Sequence, residues 1–438
     1  MTVEQNQTIL TRTAALATLG CKTNQFESAA LEEQLVAAGW TIVPFDAGAE
    51  LVIVNTCTVT AATDSQSRNL IRRARRLHPD CRVVVTGCYA QIDPTALRAL
   101  PGVALVLGNA EKQDLLRLLG EEGSEKVHVS DLRQVGGSVP TLTTFAEHSR
   151  AFVQIQNGCN AFCSYCIIPF ARGPSRSVAP EVVLEQVQQL VAAGYPEVVL
   201  TGIHIGGYGL DLEHPTSLTT LVKLLLASSP VHRLRLGSIE PTEIPEELIE
   251  LLATSPVLCP HLHIPLQAGD DAVLARMNRH YDIAFFRTLI DRIVRRIPHV
   301  AIGLDLIAGF PGESTAEFAN TLALIDSLPV THLHVFPFSK RTGTPAAVMV
   351  DQVSPEVIKA RAAQLRDLGS AKLDAFTRRF IGRDLEVVVE GGGKGGLLRG
   401  ISSNYLPIRF PGDATLVGKA VIVRLVEVNA QGAHGVLL

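Results

Sequence analysis

Three cysteines fall within the short stretch Gly158-Cys159-Asn160-Ala161-Phe162-Cys163-Ser164-Tyr165-Cys166, a C-x3-C-x2-C spacing on a glycine-bearing loop. Whatever this chain folds into must deliver that loop from a firm base and keep three thiols together. Three thiolates can ligate three irons of a [4Fe–4S] cube. The fourth iron is then open to a small chelating molecule, as open positions are at other metal centres, and a methionine-like amino and carboxylate group would fill it. Structural zinc is the competing reading, but zinc usually takes four protein ligands and no fourth Cys or His lies nearby in the sequence.

The base is legible in the hydropathy pattern. From Ala151 to about Pro337, six apolar strand candidates alternate with helical segments: Phe152–Gln156, Glu197–Thr201, Arg233–Gly237, His261–Ile264, Ala301–Leu306 and His332–Pro337. Six strand–helix units predict an open or partial (β/α)6 barrel, with chemistry at the C-terminal strand ends. The cysteine loop begins directly after the first of these strands.

An earlier alternation runs from Ala14 to about Leu119, with strands predicted at Ala14–Leu19, Leu51–Asn55, Arg82–Thr86 and Ala104–Leu107. It implies a separate parallel α/β layer. Three cysteines share one context in it: ATLGC, VIVNTC and VVVTGC place Cys21, Cys57 and Cys88 just after a strand. In a parallel sheet such strand ends share one edge, so these thiols are expected to converge and hold a second cluster. The alternative is three ordinary buried cysteines. Cys81 at a strand start and Cys259 before a proline are assigned that plain role.

A chain of 438 residues exceeds one ordinary core and implies two or three domains. We read residues 11–120 as the first domain, 121–144 as a linker, 145–374 as the barrel and 375–438 as a third domain. The linker assignment rests on segments such as EEGSEK and GGSVPTLTTF, which lose the periodicity. Val353 to about Arg379 reads as a charged helix, and the segments after it as a small all-β barrel of β-branched strands and Gly-rich turns. The start, MTVEQNQTIL, lacks the form of a signal peptide, and charges or glycines interrupt every apolar run. A cytoplasmic protein without a membrane partner is expected. In such a chain clustered cysteines point to metal chemistry more than to disulfides.

The net charge of −4 advertises no global affinity for nucleic acid, so any such partner needs a local patch. One candidate is the run holding Arg68, Arg72, Arg73, Arg75, Arg76 and Arg82, with Arg68, Arg72 and Arg76 on one helical face. Thr63 and Gln66 have capping-box spacing at its start, and Leu70, Ile71, Ala74 and Leu77 are expected to face the core. An arginine face suits phosphate; a solvated face is the bland alternative.

CNAFCSYC resembles the signature of the radical S-adenosylmethionine (SAM) superfamily, with Tyr165 at its aromatic position. The resemblance implies a reduced cluster that splits SAM to a 5′-deoxyadenosyl radical. It suggests SAM contacts at Thr201 and Gly202 after the second strand, Ser238 and Glu240 after the third, and Ile307 and Gly309 in IAGFPGE. LGCKTNQFES, VNTCTVT, TGCYAQ, QNGCNAFCSYCIIPFARGPSRS, HIPLQAGDDAVLARMNR and FPFSKRTGTPA extend the likeness over nearly the whole chain, to the radical SAM methylthiotransferases. These enzymes join an N-terminal cluster domain, a radical SAM core and a C-terminal RNA-binding TRAM barrel, in which Arg399, Asn404, Tyr405 and Arg409 would meet RNA here, Tyr405 by stacking on a base. Val178 and Ala268 depart from the residues many relatives carry.

The family mechanism spends two SAM molecules: one methylates a sulfur on the N-terminal cluster, the other yields the radical that takes the hydrogen from adenine C2. The resemblance implies two [4Fe–4S] clusters, SAM, tRNA and a low-potential electron donor such as flavodoxin or ferredoxin. GCKTNQ and NTCTVT look like the branch acting on N6-threonylcarbamoyladenosine at position 37 of tRNA. The alternatives are methylthiolation of N6-isopentenyladenosine-37 or of a ribosomal protein and, from another class, a non-catalytic RNA-binding electron carrier.

Overall fold

The computed structural model describes residues 12–121, 126–134, 140, 142, 145, 149–392 and 396–438. The MTVEQNQTIL segment and most of the expected linker lie outside the described residues. The chain divides into two compact units, Met1–Leu142 with Phe170–Gly173, and Thr143–Pro169 with Pro174–Leu438.

The first unit is built on a parallel sheet of β1 (Thr13–Thr18), β2 (Thr41–Ile42), β3 (Leu51–Thr56), β4 (Arg82–Gly87), β5 (Val103–Leu107) and β6 (Val127–His128), in the order β2-β1-β3-β4-β5-β6. Every residue of β3 is buried, as expected of a parallel strand covered on both faces. Its side chains alternate between two cores. Val52 and Val54 pack with Ile71 and Ala74 of helix α2 (Ala61–Leu77). Leu51 and Ile53 pack with Leu31 and Leu35 of helix α1 (Lys22–Ala37). Two expectations are corrected here. The linker segment supplies β6, because Val127 and His128 pair with Val106 and Leu107 at the sheet edge. Helix α2 starts earlier than predicted: Thr60 is its cap, in a reciprocal box in which each threonine hydroxyl accepts from the other's backbone N–H, Thr63 N to Thr60 Oγ1 at 3.3 Å and Thr60 N to Thr63 Oγ1 at 3.2 Å. Gln66 therefore lies inside the helix, and Leu77 ends exposed instead of in the core.

The second unit opens with β7 (Ala151–Gln154) and a short hairpin of β8 (Gln156–Asn157) and β9 (Arg176–Ser177). Five further parallel strands follow: β10 (Glu197–Thr201), β11 (Arg233–Leu236), β12 (His261–His263), β13 (Ala301–Ala308) and β14 (His332–Pro337). They form the sheets β11-β10-β7 and β12-β13-β14, joined by parallel bridges from Leu234 to Leu258 and from Ser238 to His263. This is the partial six-stranded barrel read from the sequence. After a helix over Pro355–Arg378, strands β15 (Asp384–Gly392), β16 (Leu397–Ser402), β17 (Pro407–Pro411), β18 (Ala420–Asn429) and β19 (Gly432–Leu437) close a small barrel around Val387, Val389, Ile408, Phe410, Val423 and Leu425. No helix among the described residues is long and apolar enough to cross a membrane.

Candidate functional site

In the first unit the three predicted cysteines stand at the C-terminal ends of three adjacent strands. Cys57 follows β3, Cys88 follows β4, and Cys21 lies a short turn beyond β1. The turns are set by glycine. Gly20 has φ +98°, and a Cβ there would lie 2.7 Å from Cys57 Cβ and 2.9 Å from its Sγ. Gly87 has φ +97°, and a Cβ there would lie 2.3 Å from the Thr56 carbonyl oxygen. Only a residue without a side chain brings these loops so close. Asn24 ties them further, its Nδ2 donating to Leu19 O at 2.6 Å and Thr56 O at 3.1 Å. Burial, and next the neighbouring charge of Cys88 and then that of Cys21, push the Cys57 thiol up to about 11. Mutual repulsion of that kind is what a polynuclear cation relieves.

Beside this triad lies a buried ion cluster that the sequence reading missed. Arg172 is fully buried; its Nη1 donates to Glu27 Oε1 at 2.6 Å and its Nη2 to Asn24 Oδ1 at 2.5 Å. Lys112 Nζ pairs with the other oxygen of Glu27. Burial alone would raise the Glu27 carboxyl, but Arg172 and then Lys112 outweigh it and hold it down to about 2. Cys88 and Cys21 are among the charges that keep Arg172 protonated. The Asn24 oxygen that Arg172 holds lies 4.0 Å from Cys21 Sγ, so the ion cluster adjoins the triad through Asn24.

In the second unit Cys159, Cys163 and Cys166 occupy the loop beyond β8. Burial raises Cys166 to about 12, and the charges of Cys163 and Cys159 add to it. Donors surround the loop: Ala161 N lies 3.4 Å from Cys159 Sγ, and Arg279 Nη1 lies 3.4 Å from Cys163 Sγ. His204 Nδ1 stands 3.7 Å from Cys159 Sγ, and its Nε2 meets Glu243 Oε1 at 2.8 Å. Its contact with Cys159, then that with Glu243, raises it to about 10. Three thiols with cationic and N–H donors around them fit an iron–sulfur cluster, whose thiolate ligands carry charge that must be offset.

The expected SAM contacts divide. Glu240 is on the same network, its carboxylate held by Arg279. Ser238 is exposed beside it, bridged to His263. Tyr165 and Ile307 pack on one apolar cluster of Ala268, Val273, Leu274, Met277 and Phe310. Thr201 is buried at the end of β10, and Gly202 sits against Gln156, where a Cβ would lie 2.8 Å from a carbonyl oxygen. The Gly309 N–H is taken by Glu313 Oε2 at 2.8 Å. Arg279 and His204 escaped the sequence reading; Arg279 stood inside a quoted motif, but nothing in its spacing announces a thiol 116 residues upstream.

The arginines also divide. Arg73 pairs with Asp46 at 2.6 Å, Arg75 donates to Cys81 O at 3.3 Å and Arg82 to Leu119 O at 3.2 Å. Arg68 donates to Tyr89 Oη at 2.9 Å, while Arg72 and Arg76 are exposed on the same helix face. In the C-terminal barrel Arg399 and Arg409 are exposed cross-strand partners. Two readings are corrected. Tyr405 is turned inward, its ring stacked 4.2 Å from His261 under the Arg235 guanidinium, so it is not poised to stack on a base. Asn404 is buried, and its Oδ1 accepts from Ser402 Oγ at 2.6 Å.

Comparisons with known proteins bear on both units. Residues 13–108 match the model described as "Uncharacterized protein family UPF0004", and residues 153–325 match the radical SAM superfamily. A relative from Bacillus subtilis (strain 168), named threonylcarbamoyladenosine tRNA methylthiotransferase MtaB, is 39% identical over 95% of this chain and 94% of its own. Another of that name, from Rickettsia prowazekii (strain Madrid E), is 38% identical over 90% of each. A tRNA-2-methylthio-N(6)-dimethylallyladenosine synthase from Desulfitobacterium hafniense (strain Y51) is 34% identical over 95% of each. Among solved structures, the radical SAM methyltransferase TsrM from Kitasatospora setae matches with a TM-score of 0.57 at 18% identity over 77% of each chain, which speaks to the fold alone.

Proposed function

Because this chain belongs to the MtaB-type radical SAM methylthiotransferases, we propose that it adds a methylthio group to C2 of N6-threonylcarbamoyladenosine at position 37 of tRNA. The observation that carries the chemistry is the pair of cysteine triads, one at the ends of three adjacent parallel strands and the other on a single loop that follows β7 and β8. The relatives' names support the substrate. The protein uses SAM and an iron–sulfur cluster. The finer assignment is ours: Cys159, Cys163 and Cys166 hold a SAM-binding cluster, and Cys21, Cys57 and Cys88 hold a second.

When bound and reduced, a cluster at the first of these sites supplies the electron that cleaves SAM. The residues around it have separable tasks. Arg279 ties Glu240 beside Cys163, so a carboxylate is held ready for a polar part of SAM. His204 and the Ala161 N–H donate toward Cys159 and favour its thiolate form. Tyr165 and Ile307 close an apolar wall that excludes water. In the first unit, Arg172 and Lys112 supply positive charge beside the other triad. The exposed Arg72 and Arg76, next to the half-buried Arg68 on one helix face, offer phosphate contacts for tRNA, as do Arg399 and Arg409. A low-potential flavodoxin or ferredoxin and a cytoplasmic setting complete the proposal.

The test is purified, cluster-loaded enzyme with SAM, reductant and two tRNAs, one carrying each modified adenosine. Mass spectrometry of the nucleosides should show the 2-methylthio product from the threonylcarbamoyl tRNA. Product from the isopentenyl tRNA alone would overturn the substrate and leave the chemistry standing. Release of no 5′-deoxyadenosine would overturn the chemistry and favour an electron carrier.

A further inference from the structure

Inside the partial barrel, three neighbouring strands present polar side chains that neither triad uses. His263 on β12, Asp305 on β13 and His334 on β14 meet at one point. His263 Nε2 lies 2.8 Å and His334 Nδ1 3.4 Å from the same oxygen, Asp305 Oδ1. The two rings are tilted against each other with centroids 4.7 Å apart. Gly303 makes room for His263 and for the neighbouring His332: a Cβ there would lie 2.8 Å from His263 Nδ1 and 2.1 Å from His332 Nε2. Burial raises the Asp305 carboxyl, but its hydrogen bonds with His263 and then His334 outweigh this and keep it ionised. His263 is nearly buried, whereas the His334 side chain is 53% exposed. One end of the group is thus fixed in the protein and the other is open to a ligand.

The position is as telling as the composition. Ile239 N donates to His263 O at 3.0 Å, and the next residue, Glu240, is held by the arginine that reaches Cys163. The histidine group therefore lies on strands whose ends carry the proposed SAM site. An apolar isopentenyl arm would gain nothing from an ionised carboxylate and two imidazoles. A threonylcarbamoyl arm carries a carboxylate, a hydroxyl, an N–H and a carbonyl, and can pair with them. With Nδ1 of His334 directed at Asp305, Nε2 is the ring's remaining hydrogen-bonding atom: in the neutral ring it accepts from the arm's hydroxyl or N–H, and in the imidazolium it donates to the arm's carboxylate.

We propose that His263, Asp305 and His334 form the subsite that receives the threonylcarbamoyl arm, with His334 as the specificity-determining contact and Asp305 as the positioning residue that aims it. The assignment rests on the substrate reading above. A divalent metal is the competing occupant, since nitrogens of His263, His332 and His334 lie within 4.8 Å of one another.

The test uses the full chain with His334→Phe, His334→Gln and Asp305→Asn. Anticodon stem-loops bearing threonylcarbamoyl-, isopentenyl- or unmodified adenosine are titrated by fluorescence anisotropy, and the cluster-loaded proteins are assayed for product. The wild type should bind the threonylcarbamoyl loop more tightly than the unmodified one. His334→Phe should erase that preference and raise KM for the modified tRNA about 10- to 100-fold, the value of a hydrogen bond to a charged group. His334→Gln, which keeps a donor, should restore part of it, and Asp305→Asn should weaken it without removing it. A thermal melt of each variant controls for folding; if His334→Phe fails to fold, the His334→Gln and Asp305→Asn results decide. Product from the wild type with unchanged preference in every variant would overturn the subsite and spare the substrate reading. No product from the wild type with the threonylcarbamoyl tRNA would overturn the substrate reading itself. Zinc or iron bound one per chain to protein stripped of its clusters, and absent from His334→Phe, would make the group a metal site and overturn the proposal.

Discussion

Replacing Glu27 by Gln probes the buried charge beside the N-terminal triad, and its size can be worked from the contacts. Glu27 is the anion between Arg172 and Lys112, and all three side chains are under one-tenth exposed. The substitution keeps the volume and removes the charge. It leaves two cations in a desolvated site without their carboxylate, a change that typically costs about 3–5 kcal/mol. A second route gives a similar figure. A carboxyl held from 4.5 down to about 2 favours the charged form by about 3 kcal/mol. Trp40 is the single tryptophan of the chain and packs beside Leu31 and Leu35 of the helix that carries Glu27. Its fluorescence in urea therefore reports on this unit. With a slope of about 2 kcal/mol per molar urea, the midpoint of the variant should fall by about 1.5–2.5 M. The pH dependence has a definite sign. The folded pKa lies below the unfolded one, so the contribution is fully present above pH 4.5 and is lost as the pH falls toward 2. The wild type should lose stability across that window, and Glu27→Gln should lose less. Coincident urea midpoints, or equal acid slopes, would refute the idea that the ion cluster supports this unit.

Cys163→Ala should lower iron by about four atoms per chain, one cube, and abolish 5′-deoxyadenosine release, whereas Cys81→Ala should keep its iron because Cys81 is packed in the core with Val83 and Leu97. Cys57→Ala should lose a similar amount of iron and make no methylthio product while SAM cleavage stays measurable; full product from this variant would displace Cys57 from the ligand set. Arg72 and Arg76 changed together to Glu should weaken tRNA binding and reduce the slope of log affinity against log salt by roughly one for each phosphate no longer neutralised, and an unchanged slope would return that face to plain solvation.

The main strands and the cysteine positions were legible because they follow from local pattern. Fully buried β3 opens with the apolar run Leu51–Val54, and Cys57 and Cys88 follow their strands without a gap. A parallel sheet turns that sequence habit into a shared edge, so the triad needed no knowledge of side-chain packing. The histidine group could not be read the same way. His263, Asp305 and His334 lie on three strands separated by long helical crossovers, and each residue alone looks like an ordinary strand position. Tyr405 misled for a related reason. An aromatic residue at a turn of a barrel that resembles an RNA-binding one suggests a base platform, but its backbone φ of +65° belongs to a turn that directs the ring inward, where His261 occupies its face. Strand β6 was hidden in the linker because two residues carry no periodicity.

Charge compensation accounts for what pattern could not supply. Three thiolates brought together repel one another, and the cost grows as the site is taken out of water. Each triad has a guanidinium from elsewhere in the chain near it: Arg279 at 3.4 Å from Cys163 Sγ in one unit, and in the other the fully buried Arg172, which holds the Asn24 oxygen that lies 4.0 Å from Cys21 Sγ. The two are not anchored alike. Arg279 is held by Tyr281 Oη and the Pro265 carbonyl, each at 3.2 Å, as well as by Glu240, so the end of its network that is open to a ligand is the partly exposed carboxylate and not the guanidinium. Arg172 is locked by Glu27 and Asn24, with Lys112 behind the same carboxylate, so its charge cannot move. Under the proposed assignment, a closed ion cluster suits a site whose thiols stay committed to one structure, and a carboxylate open at one end suits a site that exchanges a small molecule. That difference follows from the contacts of two arginines, and under the proposed assignment it distinguishes triads that look equivalent in sequence.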